Sequence, residues 1–184
     1  LSLCNKNLKN INNIDSDKAR HNLLVDVCMA ANYEAQSLIR DHPQYQDKYG
    51  DSQICTMLAR SFADIGDIVR GKDLYIRNKK KDKLEENLKN MFQYIKTKHN
   101  TKLGQLTLDQ VREYWWALNR KEVWKAMTCS DDNKLANASY FRQTCDDNGT
   151  SSNANHKCRC KDKKGEHDTD QVPTYFDYVP QYLR

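Results

Sequence analysis

The chain has 184 residues, of which 38% are hydrophobic and 30% are charged, and its formal net charge at pH 7 is +5. This length is enough for one domain, or for two small subdomains, with a modest core. There is no run of about 18 apolar residues, so we expect no direct insertion of this segment into a membrane. The mild positive charge favours anionic partners, which include nucleic acid, sulfated glycans, acidic lipids and acidic proteins.

Seven cysteines, at positions 4, 28, 55, 129, 145, 158 and 160, are many for a cytosolic domain of this size. They indicate an oxidising compartment, where disulfides persist. Because seven is odd, one thiol is free or has a partner outside this chain. The second option fits a segment of a longer protein, which could be extracellular although this N-terminus lacks the apolar core of a signal peptide.

The first predicted element is a helix over about residues 18–40, because positions 23, 24, 27, 28, 31 and 38 form an apolar pattern with helical spacing. The Asp and Ser residues at 15–17 can cap its start, and His42-Pro43 ends it. A polar loop then extends to about residue 51.

The second predicted helix begins at about Ser52. Its apolar residues step by three or four positions and form one face: Cys55, Leu58, Phe62, Ile65 and Val69. Asp67 and Arg70 can form an i,i+3 pair, and Gly71 lies where a left-handed C-terminal cap is expected. Gly66 indicates a close approach by another element, since glycine otherwise weakens a helix by about 1 kcal/mol. We predict that this apolar face is buried and does not bind a ligand.

Two further helices follow a basic stretch over residues 77–83. Apolar residues between positions 84 and 95 mark the third helix. The fourth is predicted over about Leu108–Thr128, because Thr107 and Gln110 form a capping box at its start. This helix carries all three tryptophans, whose size favours a role in core packing.

The composition changes at Cys129. Residues 129–172 are rich in Asp, Asn, Ser, Gly and Lys, which predicts a long loop region with one short helix around Tyr140. The last segment, residues 172–184, combines two prolines with aromatic residues and is predicted to be ordered, extended and packed on the helices. Together these elements predict an all-α fold, a disulfide-linked helical bundle with long irregular loops.

No catalytic motif is present, since the sequence has no nucleophile elbow, no phosphate-binding glycine loop and no HExxH motif. We therefore expect neither an enzyme nor a bound cofactor. A zinc site is the strongest rival, because residues of the types that bind zinc cluster in the loop region: Cys145, His156, Cys158, Cys160 and His167. Disulfides are the favoured use of these cysteines, since Cys28, Cys55 and Cys129 also need partners, and we predict no metal.

Two clusters of cations are candidate binding sites. The first comprises Arg77, Lys79, Lys80, Lys81 and Lys83, and the second comprises Lys157, Arg159, Lys161, Lys163 and Lys164. A solvated loop explains most lysine runs. However, the first cluster precedes a predicted helix N-terminus, where cations oppose the helix dipole, and an anionic ligand would relieve this repulsion. We hypothesise that a sulfated glycan binds the first cluster, with the second as a further patch.

Several stretches carry a family resemblance: LARSFADIGDIVRGKDLY at 58–75, DYVPQYLR at 177–184, NLLVDVCMAANYEAQSL at 22–38, REYWWALNRKEVWKAMTC at 112–129, YFRQTC at 140–145 and CRC at 158–160. They resemble the alpha class of the Duffy-binding-like domain in the malaria parasite's erythrocyte membrane protein 1 family. The resemblance covers nearly the whole chain and identifies the helix that begins near residue 52 as scaffold.

The resemblance implies an α-helical, disulfide-linked fold of three subdomains. Residues 1–50 are expected to hold the end of the first subdomain and the first core helix. Residues 51–184 are expected to form the helical second subdomain, with its cysteine-containing loop region at 129–172, and the third subdomain to be absent.

The resemblance also implies a disulfide between Cys55 and Cys129. It leaves the links among the other cysteines of the segment open: Cys28, Cys145, Cys158 and Cys160. A partner upstream of Cys4 would explain the odd number of cysteines.

For function, the resemblance implies adhesion. The parent proteins lie on the extracellular face of the infected red-cell membrane, anchored by a downstream transmembrane segment. Alpha-class domains are associated with rosetting, the binding of uninfected red cells. The implied partners are red-cell surface receptors, among them heparan sulfate-like glycans, blood-group sugars and complement receptor 1, together with host antibodies, and no nucleic acid. The alternative interpretation is a basic zinc- or nucleic-acid-binding module.

Overall fold

The structure is a computed structural model that describes residues 19–41, 53–74, 79–129, 134–147, 149–161 and 171–184. These residues form the helices α1 (Ala19–Asp41), α2 (Ile54–Arg70), α3 (Lys79–Lys98), α4 (Asn100–Leu103) and α5 (Leu108–Met127). A small antiparallel hairpin pairs β1 (Cys145–Asp147) with β2 (Thr150–Ser152), and two 3₁₀ turns, Phe176–Tyr178 and Gln181–Leu183, lie in the C-terminal segment. The predicted helical class with irregular loops is confirmed.

Capping residues explain where α2 ends and α5 begins. Thr107 Oγ1 accepts a hydrogen bond from the backbone N–H of Gln110 (3.2 Å), and the Gln110 side chain accepts one from the N–H of Thr107 (2.8 Å). This capping box starts α5 at the predicted position. Gly71 has a φ of 73°, the left-handed conformation that ends α2, and its N–H donates to the carbonyl of Ile68 (3.2 Å).

The helices enclose a continuous hydrophobic core in which α5 contacts α1, α2 and α3. The ring centroid of Phe62 on α2 lies 5.2 Å from that of Trp116 and 5.3 Å from that of Trp124 on α5. Phe62, Ile65 and Val69 are buried, as predicted. The core role predicted for the tryptophans is also confirmed, because all three side chains are buried.

Gly66 permits the close contact between α2 and α5. A Cβ atom built on Gly66 would lie 2.8 Å from Cζ2 of Trp116, closer than real side chains approach. The predicted approach of another element is thereby confirmed. Near the end of α2, Arg112 Nε donates to the carbonyl of Val69 (2.7 Å), while Phe62 meets Trp124. The two helices therefore run antiparallel, with the start of α2 beside the end of α5.

Two elements differ from the prediction. α3 begins at Lys79 instead of near Leu84, and the apolar pattern could not reveal this start because residues 79–83 are all charged. The short helix predicted around Tyr140 is wrong, because the backbone N–H of Tyr140 donates to the carbonyl of Ala154 (2.8 Å). This bond joins the segment to the stretch that follows β2, and Tyr140 lies in irregular structure.

The C-terminal segment is ordered and packed on the helices, as predicted, although two 3₁₀ turns replace part of the extended form. Thr174 and Asp177 are buried there. Among the described residues, no helix combines the length and the apolar character needed to cross a membrane.

Two disulfides hold the loop region. Cys55 of α2 is bonded to Cys158, and Cys145 of β1 is bonded to Cys160, each with a Cα–Cα distance of 5.5 Å. The predicted Cys55–Cys129 disulfide is therefore wrong, and Cys129 is an exposed free thiol. Cys4, whose partner was expected upstream, lies outside the described residues.

The side of α5 on which each cysteine lies explains this difference. The antiparallel packing brings Cys55 to the end of α5, so both Cys129 and the loop with Cys158 are close in the fold. Trp124 Nε1 donates to the carbonyl of Cys158 (3.1 Å), which holds that loop on the α2 side. Cys129 faces α1 instead, where it lines a groove together with Cys28.

Candidate functional site

The C-terminal segment carries a buried carboxylate at the centre of a charge network. Asp177 accepts two hydrogen bonds of 2.8 Å from Arg120, through Nε and Nη2, and one of 2.9 Å from Trp116 Nε1. The guanidinium of Arg120 also lies 5.2 Å from the ring centroid of Tyr178. A buried carboxylate is tolerated only when it is paired and hydrogen-bonded in this way. The network therefore fixes the C-terminal segment against α5.

A second network joins α2 to Arg184. Arg70 donates to Asp67 Oδ1 (3.0 Å), which confirms the predicted i,i+3 pair, and also to the carbonyl of Asp177. Arg184 donates to Asp64 Oδ1 (3.0 Å) and to Asp67 Oδ2. Burial raises the pKa of both Asp64 and Asp67, and the Arg184 guanidinium opposes part of the rise. These ion pairs hold the C-terminal residue Arg184 against α2 and so stabilise the fold.

Arg112 links three helices. Its guanidinium donates to both carboxylate oxygens of Glu85 on α3, at 2.7 and 3.0 Å. It also donates to the carbonyls of Ile68 (3.0 Å) and Val69 (2.7 Å), which lie in the last turn of α2. A cation at this position gives the carbonyls of the last turn a further hydrogen-bond donor and interacts favourably with the negative end of the helix dipole. Because Arg112 is buried, it is not available to an external ligand.

An open groove of about 610 Å³ lies between α1 and the C-terminal half of α5. Its apolar lining includes side chains of α1 that are at least 42% exposed: Val25, Met29 and Tyr33. Its charged lining comes from α5 and the loop that follows: Glu122, Lys125 and Arg159. The free thiols of Cys28 and Cys129 both line this groove. We call this feature the thiol groove.

The first predicted cation cluster lies at the start of α3. Lys79, Lys80 and Lys81 fall in its first turn, the side chain of Lys83 is exposed, and Arg77 lies outside the described residues. Four lysines therefore occupy the first five positions of one helix. Their positive charges lie beside the positive end of the helix dipole, and the two repel each other. An anion would relieve this repulsion, so this terminus is a favourable place for one.

The second predicted cluster is divided between structural and surface roles. Arg159 donates from Nε to Thr128 Oγ1 (2.7 Å) and from Nη2 to a carbonyl in the last turn of α5 (2.9 Å). This engagement holds the loop to the helix and argues against ligand binding by Arg159. The other members are Lys157, which is half-buried, Lys161, which is exposed, and Lys163 and Lys164, which lie outside the described residues.

The residues of the alternative zinc site are largely committed elsewhere. Cys145, Cys158 and Cys160 all take part in disulfides. His156 forms an isolated backbone bridge with Arg159, and His167 lies outside the described residues. In the described ranges, no group of three or more His, Cys, Asp or Glu side chains is arranged to hold a metal ion.

The long-range charge pairs have no direct signal in the sequence. Arg120 and Asp177 are separated by 57 positions, and Arg112 and Glu85 by 27. One indirect signal is present, because Arg112, Trp116 and Arg120 recur at intervals of four and share one face of α5. Cations on the same face as a core tryptophan indicate buried arginines that need carboxylate partners.

The family model described as the Duffy binding domain matches residues 1–184. Among solved structures, the NTS-DBL1(alpha-1) domain of Plasmodium falciparum membrane protein 1 (PfEMP1) from the varO strain is 38% identical, with a TM-score of 0.78. The comparison covers 98% of this chain and 39% of that one. The chain therefore spans well under half of that structure's length.

Two further solved structures show the same fold. The ICAM-1-binding PfEMP1 IT4var13 DBLbeta domain is 28% identical, with a TM-score of 0.68 over 96% of this chain and 38% of that one. The same domain bound to ICAM-1 is 26% identical, with a TM-score of 0.59 over 95% of this chain and 39% of that one. No curated protein matches the chain. Because the family model covers every residue, the chain belongs to the Duffy binding domain family, and the predicted resemblance is confirmed.

Proposed function

We propose that this chain is part of an extracellular adhesion domain that binds a host cell-surface receptor. The observation that carries the proposal is the match of the Duffy binding domain to all 184 residues. One similar structure is that of an ICAM-1-binding domain, and another holds the same domain bound to ICAM-1. A related receptor-binding role for this chain follows from its likeness to these domains.

The distribution of charge supports a binding module over an enzyme. The buried ions, Asp177 with Arg120 and Asp67 with Arg70, pair with one another and hold secondary structure together. Because these charged groups hold the fold together, the exposed loops and helix ends are the surfaces that remain for a partner. The alternative of a zinc-binding module is less favoured, because the disulfides use three of its proposed ligands.

The proposed location is the extracellular face of the infected red-cell membrane, as part of a larger membrane-anchored protein. Two disulfides fit such an oxidising location. Rosetting of uninfected red cells, with blood-group sugars or complement receptor 1 as receptors, and recognition by host antibodies are finer proposals of the same kind. The division into a first subdomain to residue 50 and a second from residue 51 also stays a prediction.

For the ligand, we propose a sulfated glycan bound at the start of α3. The proposed site comprises Arg77, Lys79, Lys80, Lys81 and Lys83. Sulfate groups would offset the repulsion among these cations and would complement the N-terminus of α3. They would also form charge-assisted hydrogen bonds without a deep pocket. The second patch in this proposal comprises Lys157, Lys161, Lys163 and Lys164, whereas Arg159 holds the loop to α5.

Binding of the purified, oxidised domain to red cells tests the adhesion proposal. We expect saturable binding to red cells and its loss when a reductant unfolds the domain. A variant lacking the basic cluster separates adhesion from glycan recognition, because adhesion through a protein receptor would survive in that variant. Absence of saturable binding to any host cell type by the folded domain would contradict the adhesion proposal.

Charge-matched variants test the glycan site. Lys80→Gln, Lys81→Gln and Lys83→Gln together should weaken heparin binding and flatten its salt dependence, since each lost contact to a sulfate reduces counterion release. The control carries Lys96→Gln, Lys98→Gln and Lys102→Gln, the same loss of charge at the other end of α3 and in α4. Equal effects of the two variants would show that heparin responds to net charge only, and no effect of either would place the glycan site elsewhere.

A further inference from the structure

An exposed cluster of aromatic rings lies where the loop region meets the C-terminal segment. Phe141 is 47% exposed, and its ring centroid lies 4.9 Å from that of the buried Tyr140 and 6.3 Å from that of the half-buried Phe176. Tyr175, which precedes Phe176 in the chain, is 60% exposed. We call Phe141, Tyr175 and Phe176, together with the neighbouring Arg142, the aromatic patch.

Hydrogen bonds hold the base of the aromatic patch in place. The hydroxyl group of Tyr140 donates to Thr174 Oγ1 (3.1 Å), and Thr144 Oγ1 donates to the carbonyl of Pro173. The segment that carries Phe141 is therefore joined to the C-terminal segment on both sides of this residue. A partner would meet a ring that is already in position, so binding would cost little conformational entropy.

A cation lies directly beside the exposed ring. Arg142 is exposed, and its guanidinium carbon lies 5.0 Å from the ring centroid of Phe141. No carboxylate among the described residues pairs with this guanidinium, whereas Arg120 is bonded to Asp177. A guanidinium that is stacked on a ring can still bind a carboxylate of a partner through its N–H groups.

We propose that the aromatic patch is a contact surface for a protein partner that presents a carboxylate beside apolar side chains. The carboxylate pairs with Arg142, and the apolar side chains cover the ring of Phe141. This inference rests on the adhesion proposed above and names the surface through which a protein receptor is held. Aromatic residues and arginine are enriched among the residues that contribute most to the affinity of protein interfaces.

The arrangement of the rings favours a protein partner over a glycan. A sugar stacks on the open face of an aromatic ring, whereas Arg142 already lies over the ring of Phe141. The Phe141 ring is inclined by 60° to that of Tyr140 and by 44° to that of Phe176. Rings inclined in this way form an uneven surface that suits interdigitating side chains. The patch as defined also has a single cation, whereas a sulfated glycan draws its affinity from several.

Binding of the purified, oxidised domain to host cells, red cells first, tests the proposal. Phe141→Ala and Arg142→Glu should each lower the affinity by at least about tenfold, the loss expected at the centre of a protein interface. The matched controls are Tyr114→Ala, at an exposed aromatic residue of α5, and Lys102→Glu, the same charge reversal in α4. Equal losses in the controls would show a general response to surface charge and apolar area and would overturn the proposal.

Enzymatic treatment of the cells identifies the kind of partner. The binding that is lost in Arg142→Glu is the part assigned to the aromatic patch. Trypsin, which cleaves protein receptors, should abolish this part, whereas neuraminidase and heparinase, which remove acidic glycans, should leave it unchanged. Its loss after treatment with these two enzymes would make the partner a glycan and would overturn the proposal.

The stability of each variant separates a lost contact from a lost fold. Because Arg142 is exposed, Arg142→Glu should leave Tm within about 2 °C of the wild-type value. A folded Arg142→Glu variant of wild-type affinity would overturn this inference and leave the adhesion proposal standing, whereas a wild-type domain that binds no host cell type would overturn both. A wild-type dimer that Phe141→Ala converts to a monomer would show that the patch joins two copies of the chain, which would also overturn the inference.

Discussion

The two sides of α5 are built differently. On the side toward α2 and the C-terminal segment, Phe62 packs on Trp116, and Arg120 pairs with the fully buried carboxylate of Asp177. On the side toward α1, side chains such as Tyr33, which is 50% exposed, line an open groove. We call the first side the sealed side and the second the open side.

The difference separates side chains of the fold that are shielded from water from side chains that remain accessible to it. The sealed side excludes water, so each buried charge there must have a partner, and removing one group leaves another unsatisfied. The open side retains contact with solvent, where the same kinds of side chain contribute little to stability. Sequence changes should therefore be tolerated on the open side and penalised on the sealed side.

A pair of aromatic substitutions provides the strongest test of this difference. Phe62→Ala should lower the free energy of unfolding by about 3–5 kcal/mol, because it leaves a cavity between Trp116 and Trp124. Tyr33→Ala, on the open side, should change it by less than about 1 kcal/mol. Urea denaturation followed by tryptophan fluorescence measures both. Equal losses would mean that the two sides of α5 do not differ in packing.

Removal of the buried carboxylate tests the charge network. Asp177→Ala should cost about 3–5 kcal/mol, because Arg120 and the indole N–H of Trp116 would lose their partner. Asp41→Ala is the matched control, since its ion pair with Arg40 is solvent-exposed and should contribute at most about 1 kcal/mol. The same denaturation assay applies. An Asp177→Ala protein of unchanged stability would show that the Asp177 carboxylate does not hold the C-terminal segment in place.

A single added methyl group tests the closest contact of the sealed side. Gly66→Ala places a Cβ atom against the Trp116 ring and should cost about 1–2 kcal/mol, because overpacking outweighs the gain in helix propensity. Ala117→Gly, at an exposed position of α5, separates propensity from packing and should cost about 1 kcal/mol. If Gly66→Ala raised the unfolding midpoint, the ring of Trp116 would have to move freely.

Thiol reactivity tests the open side with little effect on stability. In a Cys4→Ser background with Cys28 and Cys129 reduced and the buried disulfides intact, iodoacetamide should modify Cys129 first. Because the pKa of Cys28 is about 11, its thiolate fraction, and with it the alkylation rate, should rise about tenfold per pH unit below that value. Glu122→Gln should increase the rate at a given pH. An alkylation rate of Cys28 that did not change between pH 7 and pH 10 would contradict the raised pKa of this thiol.

Local features of the sequence predicted much of the scaffold. The three-and-four spacing of apolar residues identified α2 and its buried face, and the capping box located the start of α5 because both signals act within one or two turns. The start of α3 was missed, since Lys79 to Lys83 offer no apolar periodicity. The candidate cation cluster was found by composition alone, and its glycan role stays a prediction.

The sequence was sufficient for most of the helices and for the family, because propensity, capping and motifs are properties of neighbouring residues. Tertiary packing selected which cysteines pair and which charges are buried. Cys55 joins Cys158, not Cys129, because the loop with Cys158 packs on the α2 side of α5, whereas Cys129 faces α1. Asp177 reaches Arg120 across 57 positions, and such contacts exist only after antiparallel packing has brought distant segments together.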